Sequence, residues 1–538
     1  MTGNSSSSSS SSSSRPLRNV LFIMCDQLRA DYLSCYGHPR LHTPNIDALA
    51  ARGVRFDRAY VQGSVCGASR MSTYTGRYVS THGAMWNFVP LSVGQKTLGE
   101  HLRPHGVRCA LVGKTHVEAD LEGAKRLGID VSQGEGLLAM EGGFEPYARD
   151  DGIWPPGFKV SGNAYCDWLR ERGYESDNPW HDFANSGRGL NGEILSGWQM
   201  RWADKPAAIE EPHSETPYTT DRAIDFMKEA GATPWVLHLS YIKPHWPYVV
   251  PAPYHEMFGP DDVQPAVRSE AELQNAHPVL EGFRRDTASE SFSRDDVRRT
   301  VIPTYMGLVK QVDDQLGRLF AFMREQGLDR ETLIVFTSDH GDYLGDHWLG
   351  EKELFHEPIV RVPLIVADPR AQANATRGTV SDALVECIDI VPTVLESLGI
   401  ERPSQWLEGE SLLPLVHAHD GAKGKDFVVC ENSYAFRDAV RLPIGQPVDR
   451  CHMTMLRDRR WKFVHFEDLP PMLFDLETDP QELVDLGRDP AHAAVREQML
   501  GRLFAWLRAR HRFPTIAPAA IEAWNRRERE AGILIGAW

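Results

Sequence analysis

The sequence predicts an α/β fold: a large, mostly parallel sheet sandwiched by helices, then a smaller antiparallel sheet carrying one helix. Three observations predict it. Apolar runs of strand length alternate with longer helical patterns through most of the chain, as strand–helix–strand units require. Two of those runs stop abruptly at polar residues, Asp26-Gln27 and Asp339-His340, where the ligand site of such a sheet lies, beyond the carboxyl ends of its strands. After about residue 425 the texture changes to shorter strands joined by turns.

The elements follow in order. Residues 1–18 include an unbroken serine run from 5 to 14 and no apolar stretch, so a disordered tail is expected and a secretory leader is not. Residues 19–25 are nearly all apolar, which suits a strand buried on both faces. Thr43 and Pro44 open a helix that runs to Ala50, as N-cap and first helical residue. Further strands are expected at 107–113, 234–242, 332–338 and 363–367, with helices at 302–326 and 383–398. Residues 121–230 are rich in Gly, Pro and Trp with weak periodicity; they are expected to be insertions that shape the substrate pocket, helped by 251–299. Later come short strands at 427–430, 452–456, 461–465 and 472–475 and an amphipathic helix at 491–510. The expected division is a tail (1–18), a large α/β domain (19–425), a small α+β domain (426–512) and a C-terminal tail (513–538). The apolar end of that tail either folds back on its own domain or reaches a neighbouring subunit, and a homo-oligomer, dimer or tetramer, is expected.

Composition excludes several classes. With 58 Lys and Arg against 74 Asp and Glu the net charge is −16, which argues against a nucleic-acid partner. Hydrophobic content of 42% and charged content of 25% suit a globular chain, and no apolar run approaches the ~18 residues of a membrane span. Eight scattered cysteines without a CxxC spacing argue for a reducing, cytoplasmic compartment with most thiols buried as small apolar groups.

Chemistry concentrates in a few segments. Neighbours in a regular strand face opposite ways, so Asp26 with Gln27, or Asp339 with His340, can face one ion only where the strand breaks. Cys66-Gly67-Ala68-Ser69-Arg70 puts a thiol and a guanidinium four apart, on one face of a helix whose N-terminus would favour an anion. Thr75-Gly76-Arg77 follows. Gly113-Lys114-Thr115-His116 spaces Lys114 and His116 two apart, on one side of an extended chain. Lys243-Pro244-His245-Trp246-Pro247, Gly350-Glu351-Lys352 and Leu473-Phe474-Asp475-Leu476 complete the set.

In this order the segments resemble the type I sulfatases of the alkaline phosphatase superfamily, from about residue 19 to 486 and least across 121–230. The resemblance implies an alkaline phosphatase-like fold. It also implies that a maturation enzyme oxidises Cys66 to formylglycine, whose hydrated form is the nucleophile. It further implies one divalent metal held by Asp26, Gln27, Asp339 and His340 together with residue 66. Arg70 and Lys114 would neutralise charge on the nucleophile and the transferred group. His245 and Lys352 would meet the leaving oxygen, and His116 would accept the proton that releases sulfate. Side-chain oxygens plus an imidazole favour Mn²⁺, with Ca²⁺ next.

Many sulfatases carry Asp-Asp and Asp-Asn where this chain has Asp26-Gln27 and Asp339-His340. That set, and Asn87 as a pocket asparagine that binds substrate, resemble the phosphonate monoester hydrolases. Lys114 and His116 instead resemble the sulfatases. The implied substrate is a small sulfate monoester, with promiscuity toward phosphoesters. The alternatives are a phosphonate monoester or phosphodiester hydrolase with the same nucleophile, and a non-catalytic anion binder with an unmodified Cys66.

Overall fold

The computed structural model describes residues 16–510, 516–517, 519–523 and 530–532. Its main sheet is built from β1 (Asn19–Asp26), β2 (Val54–Tyr60), β3 (Arg108–Gly113), β4 (Glu145–Arg149), β7 (Trp235–Pro244), β8 (Thr332–Ser338), β9 (Arg361–Ala367) and β10 (Thr379–Glu386). Between β4 and β7 in sequence, a separate hairpin pairs β5 (Ser186–Arg188) with β6 (Ile194–Ser196). The strand order in the main sheet is β10-β2-β9-β8-β1-β7-β3-β4. Only β9 runs against the rest: its pairings with β2 and β8 are antiparallel and the others parallel. The carboxyl ends of β1, β2, β3, β7 and β8 therefore share one edge.

β1 shows how the sequence makes this layer. All its residues are buried, and alternate ones enter different cores. Leu21, Ile23 and Cys25 pack with α1 (Pro44–Ala50), the helix Glu215–Ala230 and the long helix Asp295–Glu325. Val20, Phe22 and Met24 pack on the other face with α2 (Cys66–Thr75) and the helix Ile390–Ser397. A period of two with both faces covered reads as a continuous apolar run, and each fully buried aliphatic side chain contributes roughly 1.5–3 kcal/mol. A second sheet, β11 (Val428–Ser433), β12 (His452–Arg457), β13 (Trp461–Phe466) and β14 (Met472–Asp475), is antiparallel throughout. One of its faces buries Val429, Leu456, Phe463 and Leu473 against Met499 and Leu503 of the helix Ala493–Ala509.

The expected fold class is the one observed, and the strands at 19–25, 107–113, 234–242, 332–338 and 363–367 all exist within two residues at either end. The differences have physical causes. Residues 383–398 are not one helix. Their first four residues end β10, and Cys387–Asp389 turns into the helix Ile390–Ser397. The long helix begins at Asp295, before the expected 302, and carries Pro303 within it. Thr43 precedes α1 but makes no capping bond. The free amides of Asn45 and Ile46 donate instead to Asp313 Oδ1, at 3.0 and 2.9 Å, a carboxylate supplied by the long helix. The 121–230 segment is not purely insertion, since β4 joins the main sheet and Glu215–Ala230 covers it. Seven of the eight cysteines are buried and all are free. Among the described residues no helix is long and apolar enough to cross a membrane. The serine run and the apolar end at 533–538 lie outside the described residues.

Candidate active site

Five strand ends and the β8–β9 connection meet at the shared edge. β1 breaks there: its register on β7 shifts between Cys25 and Asp26, and Gln27 takes a left-handed φ of 64°. That break turns Asp26 and Gln27 toward one place. Asp339 and His340 follow β8 directly. Oδ1 of Asp26 and Oδ1 of Asp339 lie 3.8 and 3.7 Å from Nε2 of His340. Cys66 Sγ lies 3.1 Å from the same nitrogen and 3.8 Å from Asp26 Oδ1.

Cys66 is the first residue of α2, every residue of which is buried. The helix lacks a side-chain cap of its own. Instead the amide of Gly67 donates to Asn87 Oδ1 at 2.8 Å. A Cβ on residue 67 would stand 3.0 Å from that oxygen and 3.2 Å from the Trp86 carbonyl, so a side chain there would have to push the Asn87 segment aside by a few tenths of an ångström. Asn87 lines the cavity and also serves as the cap of α2.

Arg70, one turn on, is fully buried with each of its nitrogens engaged. Nε donates to Asp339 Oδ2 at 2.7 Å, Nη2 to Asp26 Oδ2 at 3.2 Å, and Nη1 to the Lys114 carbonyl and Ser240 Oγ at 2.9 and 2.8 Å. It acts on the site by bracing the two carboxylates, each of which keeps Oδ1 turned toward His340. Lys114 Nζ sits 2.5 Å from Asp26 Oδ2.

The Lys114–His116 segment leaves β3 as irregular chain and is not regularly extended as expected, because His116 takes a left-handed φ. Gly113 has φ 98°, and a Cβ there would collide with the Ser240 carbonyl at 1.9 Å. His116 has φ 56°, and the amides of Thr115 and His116 both donate to Asp151 Oδ1 at 2.7 and 3.0 Å. Lys114 and His116 still line the same cavity.

On the opposite side, Lys352 Nζ donates to Gln27 Oε1 at 2.8 Å and lies 3.1 Å from His245 Nε2. Gln27 Nε2 in turn donates to Asp342. Glu351 and Glu353 flank Lys352 with φ of 64° and 90°. Left-handed backbone at non-glycine residues costs of order 1–3 kcal/mol each and persists only where surrounding contacts enforce it.

Charge dominates this enclosure. Burial pushes the Cys66 thiol up, but Lys352, Lys114 and His340 outweigh it and hold the group well below the ordinary thiol range. Burial and Lys352 push His245 down to about 3, so it is neutral. Burial would lower His340 too, but Asp339 and Cys66 raise it to about 9. The paired carboxylates diverge. Asp26 is driven down, against burial and Cys66, by Lys114, His245 and Arg70; Asp339 is driven up by burial and by Asp26. Two carboxylate oxygens, an imidazole nitrogen and the residue-66 side chain, all buried with ligand atoms within 4.8 Å of one another, fit a divalent cation. Ligands bound at about 2.1–2.4 Å lie roughly 3–4 Å apart, the spacing seen here. In this arrangement Gln27 points its carbonyl at Lys352.

The site opens into a cavity of about 470 Å³. Its wall includes Phe88, Trp154 and Trp246, and also Phe436 and Arg437 from beyond β11. Trp86 and Phe436 stack with centroids 5.1 Å apart and planes 8° apart. Of the region expected to shape the pocket, 149 and 151–154 do so, whereas 251–299 lines none of it. Sequence reasoning missed Ser240, Asp342, Asp151, Glu353 and Arg437. A serine inside an apolar strand signals Ser240, and proximity to Asp339-His340 signals Asp342; the other three have no local signal.

Comparisons with known proteins give the family. A family model described as Sulfatase matches residues 18–147 and 162–400. One described as N-sulphoglucosamine sulphohydrolase, C-terminal, matches 345–509. The chain is 32% identical over 511 residues to the multifunctional alkaline phosphatase superfamily protein PehA of Trinickia caryophylli, covering 91% of this chain and 95% of that one. It is 27% identical to an arylsulfatase of Clostridium perfringens, covering 87% and 90%. Among solved structures, the phosphonate monoester hydrolase of Agrobacterium radiobacter superposes with a TM-score of 0.79 at 29% identity, covering 92% and 96%. Fold and relatives define a hydrolase of the alkaline phosphatase superfamily. Within it, the chain belongs to the type I sulfatase family.

Proposed function

We propose that this chain hydrolyses small sulfate monoesters, aryl sulfates first among them, through a formylglycine made from Cys66, and turns over phosphoesters more slowly. The reading includes a divalent ion, Mn²⁺ or Ca²⁺, that Asp26, Asp339, His340 and residue 66 would hold; Gln27 would join them by turning its carbonyl away from Lys352. Such an ion would supply Lewis-acid chemistry there, making the residue-66 hydroxyl easier to deprotonate. The observation that carries the reading is the segment after β3 that bears Lys114 and His116. Asp151 holds its amides so that a cation lies beside Asp26 and an imidazole lines the cavity above Cys66.

The chain's own residues divide the work. Lys114 and Arg70 offset the charge of the carboxylates around residue 66. His116 accepts the proton whose removal lets sulfate depart. Lys352 supplies positive charge at the leaving oxygen. His245 is neutral and accepts a hydrogen bond from Lys352, so it orients the ammonium and leaves the charge with the lysine.

One observation favours a second reading, a phosphonate monoester or phosphodiester hydrolase: the likeness to two such hydrolases, both at a TM-score of 0.79. Rates on a sulfate monoester and a phosphodiester with the same leaving group separate the two. Faster sulfate hydrolysis is expected; a phosphodiester preference of orders of magnitude overturns the first reading.

A further inference from the structure

Glu353 is held at every polar atom it has. Its amide donates to the Ser64 carbonyl at 3.2 Å. Its carbonyl accepts from Ser64 Oγ and Asn432 Nδ2, both at 2.7 Å. Asn432 also donates to Ser64 Oγ at 2.7 Å. The carboxylate is gripped at both oxygens by the Arg437 guanidinium. The Glu353 side chain is 3% exposed, whereas Arg437 is 40% exposed and lines the cavity. Ser64 is two residues before Cys66, and Asn432 lies in β11 of the second sheet. The residue so fixed has a left-handed φ of 90° and directly follows Lys352.

We infer that Glu353 and Arg437 are positioning residues: a clasp by which the second sheet sets the place of the Lys352 ammonium against the leaving oxygen, and with it the tolerance for poor leaving groups. A left-handed conformation at a buried, branched-charge position relaxes unless its neighbours over-determine it. The bidentate fork of Arg437 is the one contact of the set made by a side chain reachable from the cavity. Loosening it lets the Glu351–Glu353 backbone relax and carries Lys352 Nζ away from Gln27 and His245. The inference rests on the reading that Lys352 meets the leaving oxygen, so the test separates the two.

The experiment measures kcat and KM for aryl sulfates of graded phenol acidity with the matured wild type and with Lys352→Ala, Glu353→Gln, Arg437→Ala and Arg437→Lys. Lys352→Ala is expected to steepen the dependence of kcat on phenol acidity. Glu353→Gln and Arg437→Ala are expected to steepen it in the same direction. The loss should be about tenfold or more on the least acidic phenol and much smaller on the most acidic, with KM within about twofold. Arg437→Lys, which keeps charge but not the fork, should fall between. Arg437→Ala leaves the buried backbone contacts intact, so it remains a test if Glu353→Gln does not fold. An equal loss on all phenols, or none, in Glu353→Gln and Arg437→Ala while Lys352→Ala steepens the slope overturns the clasp. An unchanged slope in Lys352→Ala overturns the reading of Lys352 and the clasp with it.

Discussion

The floor and the wall of the cavity are built in different ways. On the floor, Asp26, Gln27, Arg70, Lys114, Asp339 and His340 are wholly buried, and all but Arg70 sit within a residue or two of a strand end. Arg70 lies in the first turn or so of α2, whose N-terminus faces the same edge. On the wall, Phe88 and Phe436 are 77% and 49% exposed and come from loops far apart in the chain. The floor is fixed by sheet topology, because strands running one way deliver their last residues to one edge. The wall is fixed by loops that can change without disturbing the sheet. On the proposed function, chemistry and selectivity reside in parts of the molecule with different constraints, and substitutions should separate them.

The largest effect is expected on the floor. Cys66→Ala should abolish measurable turnover with circular dichroism and melting unchanged; full activity would place the nucleophile elsewhere. Asp339→Asn or His340→Ala should lower kcat by about 10²–10³-fold and reduce bound metal measured by elemental analysis. Chelation followed by readdition of Mn²⁺ or Ca²⁺ should remove and restore activity in the parent, and activity that resists chelation would count against the metal reading. His116→Ala should cost about 10²-fold or more on sulfate monoesters and less on a phosphodiester. Equal losses would remove the link between His116 and sulfate.

Wall substitutions should act on selectivity. Phe436→Ala is expected to change KM among aryl sulfates by several-fold with the floor's pH profile unaltered; a shifted pH profile would mean that wall and floor are coupled.

The smallest effect concerns stability away from the site. Burial and Arg77 push His82 down to about 3, so it is neutral when folded, with Nε2 bonded to Ser72 Oγ. Between its unfolded value of 6.5 and about 3, the unfolded chain binds a proton that the folded chain does not. Stability therefore falls as pH drops through that interval, by up to about 1.4 kcal/mol per pH unit for this one group. His82→Asn should make the fall in the urea midpoint between pH 6.5 and 4 shallower; an unaltered slope would show that another group controls it.

The same division explains what the sequence discloses. β1 and β8 are legible because burial on both faces makes continuous apolar runs, and the residues that end them carry the site. β2 escapes because Arg and Asp alternate with its buried positions, and β4 because Pro146 interrupts a short edge segment. β10 is hidden because its buried end runs without a break into the apolar helix Ile390–Ser397. The Asp313 cap on α1, the Asn87 cap on α2 and the Arg437–Glu353 pair join residues remote in sequence, which no local pattern encodes. The motif puts Arg70 on the helix that begins with Cys66, but its bracing of two carboxylates emerges only from the contacts.

The proposed function stands or falls with a formylglycine at residue 66 in the working enzyme. Mass spectrometry of the tryptic peptide spanning 59–70, after co-expression with a formylglycine-generating enzyme, tests it most directly. The expected peptide has lost the elements of H₂S and gained one oxygen, and activity should rise in proportion to that species. A peptide that keeps its thiol in a fully active preparation would contradict it.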